Sequence, residues 1–294
     1  MTADEDSTLP RRQLGRFLRQ YREEVGLTMA QAAKLVEIGT STLHRLEKGT
    51  ADKVRVRIIG HLCEIYECSA DDTAAMQKLA EQAAVKTWYQ EYGDLLPGGF
   101  DHYVGLEAAA RHLISYQELV PGLLQTPEYA RTMIRNFRTD VSDCDVERRV
   151  ELRLRRQKII TRKSDPVRLD VVLHESALRR VVGNPRIMAN QLRHLANAGT
   201  RPTIELRVLS FTAGMPMGLL PGPFVILDFG LDLKGRCPEP PVVYVESVLT
   251  AQIYLQKETD IQRYRAVSAA LHDASLDAED SRALLRKIAK EYET

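Results

Sequence analysis

The chain has 294 residues, 44% of them apolar and 28% charged, an ordinary globular composition long enough for two domains. Its 41 Lys and Arg nearly balance 40 Asp and Glu, so the whole-chain charge of +1 gives no sign of a nucleic-acid partner. No run approaches the roughly 18 apolar residues of a membrane span, and the opening MTADEDSTLP is too polar for a signal peptide, so a cytoplasmic protein is expected.

The local balance is different. Pro10 to Gly60 hold eleven Lys or Arg against five acids, a net of +6, which is the electrostatic footprint of a phosphate-binding patch. Residues 1–10 are expected to be a disordered tail. Leu14, Phe17, Leu18 and Tyr21 then fall at i, i+3, i+4 and i+7, an amphipathic first helix whose other face carries Arg16, Arg19 and Arg22. Leu27 to Gly49, LTMAQAAKLVEIGTSTLHRLEKG, follows with two short apolar runs at helical spacing: Ala32, Ala33 and Val36, then Leu43 and Leu46. Thr28 with Gln31 is a capping-box start. A small-residue turn around Gly39 and Thr40 opens a second helix, which Gly49 can end.

The exposed face of that second helix would carry Thr40, Ser41, His44, Arg45 and Lys48, donors and cations suited to base edges and phosphates. Two amphipathic helices around a glycine are also common in all-α domains, and a lone arginine is usually a solvated charge. Capping box, turn and spacing together favour a DNA-binding helix-turn-helix. His44 stays open between groove contact and plain exposure.

Ile58, Ile59, Leu62, Ile65 and Tyr66 make a fourth helix. Asp71 or Asp72 caps a fifth, running to about Tyr92, with Trp88 packing at the domain junction. His61, Cys63 and Cys68 lack a second ligand pair and read as buried thiols rather than a zinc site, so neither metal nor cofactor is expected. Gly93 to Gly99 is the clearest linker.

Beyond it, Tyr103–Ser115 reads as helix. VPGLLQTPEYAR (120–131) is a turn at Pro121-Gly122 leading into a helix started by Thr126-Pro127. A basic helix spans about Asp143–Lys163, and a solvated face is the simpler reading of its cations than a second DNA contact. From Pro166 four strand-like runs appear, at 167–175, 203–210, 222–229 and 241–247. Helical stretches Ser176–Val182 and Arg186–Ala198 lie between the first two, and helices near Thr259–Asp273 and Asp277–Tyr292 close the chain. This describes an α+β domain with a mixed sheet of about four strands and flanking helices. His174-Glu175-Ser176 invites a hydrolase reading, but Ser176 sits where strand gives way to helix and reads as a cap. There is no G-x-S-x-G, Walker loop or H-E-x-x-H, so no enzymatic activity is expected.

Residues 14–66 resemble the DNA-binding domain of the Xre/Cro family of bacterial and phage repressors, without gaps from Thr28 to the closing Arg45-Leu46-Glu47-Lys48-Gly49. The resemblance implies a five-helix all-α domain over 11–92. It places base reading at Thr40, Ser41, Thr42 and Arg45, and phosphate contact at Lys48. Thr28, Arg16, Arg19 and His44 are further phosphate or flanking candidates. Met29 stands where many members have a phosphate-contacting glutamine. Glu37 stands where the turn usually has glycine, which suggests that Gly39 relieves the turn instead.

The VPGLLQTPEYAR run, Arg156-Gln157, HESALRRVVGNP (174–185) and YVES (244–247) resemble the uncharacterised effector-like domain, DUF5753, that follows such a motif in many bacterial regulators. That family's toxin–antitoxin-like arrangement implies a transcription regulator of double-stranded DNA, governed through residues 100–294 by a small partner protein encoded nearby. An antitoxin-like immunity protein with mainly autoregulatory DNA binding is the alternative, and a regulator with a hydrolase-like body a lesser one. One head reads few base pairs, so a homodimer joined through the body is expected, with heads about 34 Å apart on a palindromic operator. Val120, Pro121, Gly122, Leu123, Leu124 and Tyr129 are the candidate partner surface. The competing reading of that segment is a buried corner packed by Leu119, Leu123, Leu124 and Tyr129.

Overall fold

The computed structural model describes residues 9–51, 53–84, 88–92, 94–95, 100–219, 221–230, 239–245 and 253–293. Most of the expected tail (1–8), most of the expected linker (93 and 96–99) and the last two residues of the YVES run lie outside the described residues. The chain divides into two compact units between Ala109 and Ala110.

The first unit is all helical: α1 (Leu9–Glu24), α2 (Met29–Leu35), α3 (Thr40–Lys48), α4 (Val56–Ile65), α5 (Ala70–Ala84), a short 3-10 turn at Trp88–Tyr92, and α6 (Phe100–Ala109). Its core is one cluster that includes Leu14, Leu18, Leu43, Leu46, Ile59, Leu62 and Met76. The fifth helix is capped by Ser69 rather than by Asp71 or Asp72. The Ser69 hydroxyl accepts from the Asp72 N–H at 3.1 Å and donates to the Asp72 carboxylate at 2.6 Å. That helix ends at Ala84, short of Tyr92, and Trp88 packs edge-on against Tyr89 and Tyr92 in the separate turn. Burial pushes the Cys63 thiol up to about 12, and no group of three potential metal ligands occurs among the described residues.

The second unit is α+β. Its elements are β1 (His112–Gln117), α7 (Pro127–Phe137), α8 (Asp143–Arg156), α9 (Lys158–Thr161), β2 (Arg168–His174), α10 (Ser176–Arg179), α11 (Pro185–Ala198), β3 (Ile204–Leu209), β4 (Phe224–Asp228), β5 (Val242–Val245), β6 (Ile253–Leu255), α12 (Glu258–Ala274) and α13 (Ala278–Glu291). The sheet has six strands, not about four, in the order β3-β2-β1-β4-β5-β6. Strands β1, β2 and β3 run parallel, while the pairs β1–β4, β4–β5 and β5–β6 are antiparallel.

Both added strands have physical reasons for escaping the sequence pattern. β1 lies inside what reads as the helix Tyr103–Ser115: the helix stops at Ala109, and His112–Gln117 pairs on both sides with β2 and β4. A strand flanked on both sides lacks the clean alternation of a half-solvated one. β6 is three residues long, too short to carry a period. The basic helix also breaks at Gln157, giving α8 and then α9.

Register explains the layering. His112, Ile114 and Tyr116 share one face with Asp170, Val172, Glu205, Leu209, Phe224, Ile226 and Asp228. The apolar part of that face packs under Ile261, Tyr264, Val267 and Leu271 of α12. The edge strand β3 is closed by the turn before α13. The Val208 N–H donates to Ser281 Oγ at 2.9 Å, and its carbonyl accepts from the Leu276 N–H at 3.0 Å. A row of open backbone groups is thereby removed from that edge.

Candidate nucleic-acid interface

The local chemistry of residues 27–50 fixes the two helices of the motif. Thr28 accepts from the Gln31 N–H at 3.3 Å, while Gln31 Oε1 accepts from the Thr28 N–H at 2.9 Å, a complete capping box. Thr28 is exposed, but its hydroxyl is already engaged with Gln31. The turn then departs from expectation. Glu37, not Gly39, takes the left-handed conformation (φ 54), and Gly39 is the extended N-cap of α3 (φ −68). Hydrogen bonds from Glu37 N–H to the Lys34 carbonyl and from Ile38 N–H to the Ala33 carbonyl hold it there. A residue with a Cβ in this region costs about 1 kcal/mol or more.

In α3, Leu43 and Leu46 are buried, Thr42 is half-buried, and Thr40, Ser41, His44, Arg45 and Lys48 are exposed. Among the described residues, none of these five exposed side chains has a hydrogen-bond or ion-pair partner. Gly49 ends the helix in the left-handed conformation (φ 74). The helix is seated on α1 by close backbone approach: a Cβ on Gly15 would lie 2.5 Å from the Leu46 and Glu47 carbonyl oxygens. It is also pinned by charge. Arg22 Nε donates to Glu47 Oε1 at 2.7 Å and Nη2 to Oε2 at 2.9 Å, and Nη1 reaches the Leu27 carbonyl at 2.9 Å. Both side chains are buried, at 10% and 4% exposure.

The first-helix arginines therefore do not act alike. Arg22 is a lock within the unit and is removed from the phosphate contacts expected of that helix. Arg19 is exposed and pairs with Glu23 one turn away at 2.8 Å, and Arg16 is half-buried. Further exposed cations follow α3 in the chain. In Lys53-Val54-Arg55-Val56-Arg57, which leads into the first turn of α4, the three basic residues are exposed, Val54 is buried and Val56 half-buried. The period-two alternation of that run was the available signal.

In the second unit the candidate partner segment is an interior corner. Val120, Leu123, Leu124 and Tyr129 are buried, and Pro121 and Gly122 are half-buried. Three glutamines hold its backbone. Gln125 Nε2 donates to the Val120 carbonyl (2.7 Å), and Gln157 Nε2 to those of Gly122 (3.0 Å) and Gln125 (2.7 Å). The fully buried Gln191 accepts from the Thr126 N–H (2.7 Å) and donates to the Leu124 carbonyl (2.7 Å). Arg153 completes the set by donating to Gln125 Oε1 at 2.6 Å. Packing and hydrogen bonding consume this segment, so a partner surface made of these side chains is set aside.

Ser176 is not a cap, because the N-cap position of α10 belongs to Glu175 and has no side-chain cap bond. Instead His174 Nδ1 lies 2.8 Å from Ser176 Oγ and 3.3 Å from its N–H. Glu175 spans Arg179 at 2.7 Å and the Phe211 N–H at 2.9 Å.

No described helix is long and apolar enough to cross a membrane. A family model described as a helix-turn-helix domain matches residues 13–76. A second, described as a domain of unknown function (DUF5753), matches residues 100–287, more than half of the chain. None of the curated proteins and none of the solved structures compared with the chain matches it. The chain belongs to the DUF5753 family, and its first unit carries the helix-turn-helix domain of a DNA-binding regulator.

Proposed function

We propose that the protein is a sequence-specific regulator of the Xre/Cro type, reading an operator with Thr40, Ser41, Thr42 and Arg45. Lys48, Arg19, Lys53, Arg55 and Arg57 hold phosphates. The observation that carries this reading is the exposed row of donors on α3 with no partner among the described residues. An arginine so placed can bridge the O6 and N7 of a guanine. In this reading two copies pair through the body, residues 110–294, on a palindromic site, and the same body receives a small controlling partner. The body acts by binding rather than by catalysis. Its His174, Glu175 and Ser176 side chains are engaged with one another's neighbours in the local turn, which supports a structural use of that triplet.

Selection of duplexes from a random library by the full-length chain, followed by footprinting, tests the proposal. The expected result is one enriched palindrome whose half-sites lie about 34 Å apart, bound by a dimer. A library that shows no enrichment over several rounds would overturn it.

A further inference from the structure

The helix α6 stands on both sides of a boundary. The DUF5753 model begins at residue 100, so α6 opens the C-terminal family domain. By contact, α6 belongs to the first unit, which ends at Ala109. Its attachment there is specific. Arg12 Nη1 of α1 lies 3.1 Å from His102 Nε2. A guanidinium only donates, so at this contact the imidazole nitrogen is the acceptor. One turn on, Gly105 lies under Tyr89, and a Cβ there would sit 2.8 Å from the tyrosine hydroxyl oxygen. Val104 and Leu106 are buried.

Arg12 also touches the reading helix from its other side. A Cβ on Gly49, the glycine that ends α3, would lie 2.9 Å from Arg12 Cα. A continuous line of contacts thus runs from His102 through Arg12 to Gly49 and α3. At its far end α6 is separated from β1, a central strand of the sheet, only by Ala110 and Arg111.

We propose that His102 and Gly105 of α6 are positioning residues for DNA reading: they seat the first helix of the family domain on Arg12, and through Arg12 and Gly49 fix the end of α3. The inference rests on the DNA-reading role assigned to α3. It places the first helix of the family domain, which ends two residues before β1 in the chain, within the packing of the first unit.

The test compares full-length wild type with His102→Leu and His102→Gln. Two readouts are taken: hydrogen exchange at the α3 amides, and affinity for the duplex that the wild type selects. His102→Leu removes the acceptor, and both α3 protection and affinity should fall about tenfold, the scale of one hydrogen bond to a charged donor. His102→Gln keeps an acceptor for Arg12 and should restore both. If the leucine variant does not fold, His102→Asn, which stays polar but is too short to hold Arg12, should move both readouts the same way. Unchanged α3 exchange and affinity in a variant whose α6 amides have lost protection would overturn the proposal. If α3 exchange responds as stated but the wild type selects no duplex, the positioning stands and the DNA-reading role fails.

Discussion

Residues 28–49 and 120–137 are built from the same parts and use them in opposite ways. Each has a tight turn and a helix started by a threonine, Thr28 for α2 and Thr126 for α7. In the first, Thr40, Ser41, His44, Arg45 and Lys48 of α3 are exposed with no partner among the described residues. In the second, Gln125, Gln157, Gln191 and Arg153 turn their donors onto the carbonyls and side chains of the corner. An unpaired exposed donor is available to a ligand, whereas a donor spent on a buried carbonyl is part of the frame. The difference separates a surface open to a ligand from a structural corner.

The largest effect should come from breaking the lock beneath the reading surface. Glu47→Ala leaves buried Arg22 with only the Leu27 carbonyl and the longer Glu23 pair at 3.5 Å and should cost about 3 kcal/mol, measured by urea unfolding of the full chain followed at the helical first unit. Little destabilisation there would mean that the pair is solvated in solution. Next, Gln191→Leu leaves the Thr126 N–H and the Leu124 carbonyl unsatisfied in the corner. About 2–6 kcal/mol should be lost from the second unit, at ~1–3 per buried group, with DNA affinity unchanged. A fall in affinity without a fall in stability would return the corner to the list of binding surfaces.

Acid should separate the two regions further. On the sheet face, burial would raise Asp170, but hydrogen bonds from His112 and Arg168 outweigh it and hold the carboxyl below its ordinary value. Glu205 is lowered by the His272 hydrogen bond, and Asp228, despite burial, by the Gly230 N–H and Arg265. Carboxyls depressed in the fold stabilise it above the ordinary value near pH 4, and that stability is lost as pH falls through the lower folded values. The second unit should therefore unfold at a steadily lower urea concentration as pH falls below about 4, and Asp170→Asn should flatten that slope. An unchanged slope would show that these carboxyls titrate normally. The smallest effect concerns the turn: Glu37→Gly should raise stability by about 1 kcal/mol by removing a left-handed glutamate. A loss of stability would mean that the Glu37 side chain compensates its own backbone.

How much of this was legible depends on range. The capping box at Thr28, the glycine end at Gly49, the Leu43–Leu46 stripe and the Thr126-Pro127 start are local, so a single sequence carries them. What escaped is set by tertiary partners. β1 is a strand because β2 and β4 flank it, and β6 because β5 holds it. Arg22 looked like one more cation on a basic face, and only the approach of α3 to α1 turns it onto Glu47. Glu37 shows the same limit at the scale of one residue. The rule that left-handed positions favour glycine pointed to Gly39, but the carbonyls of Ala33 and Lys34 fix the turn one residue into the loop, at Glu37.

Whether α3 reads DNA is decided by the salt dependence of binding for wild type, Arg45→Ala and Lys48→Ala on the selected duplex and on a scrambled one. Arg45→Ala should cost about 1–3 kcal/mol on the selected duplex and little on the scrambled one. Lys48→Ala should weaken both alike and reduce the salt slope by about 1. Selected-duplex affinity unchanged by Arg45→Ala at every salt concentration would contradict the assignment of α3 as the reader.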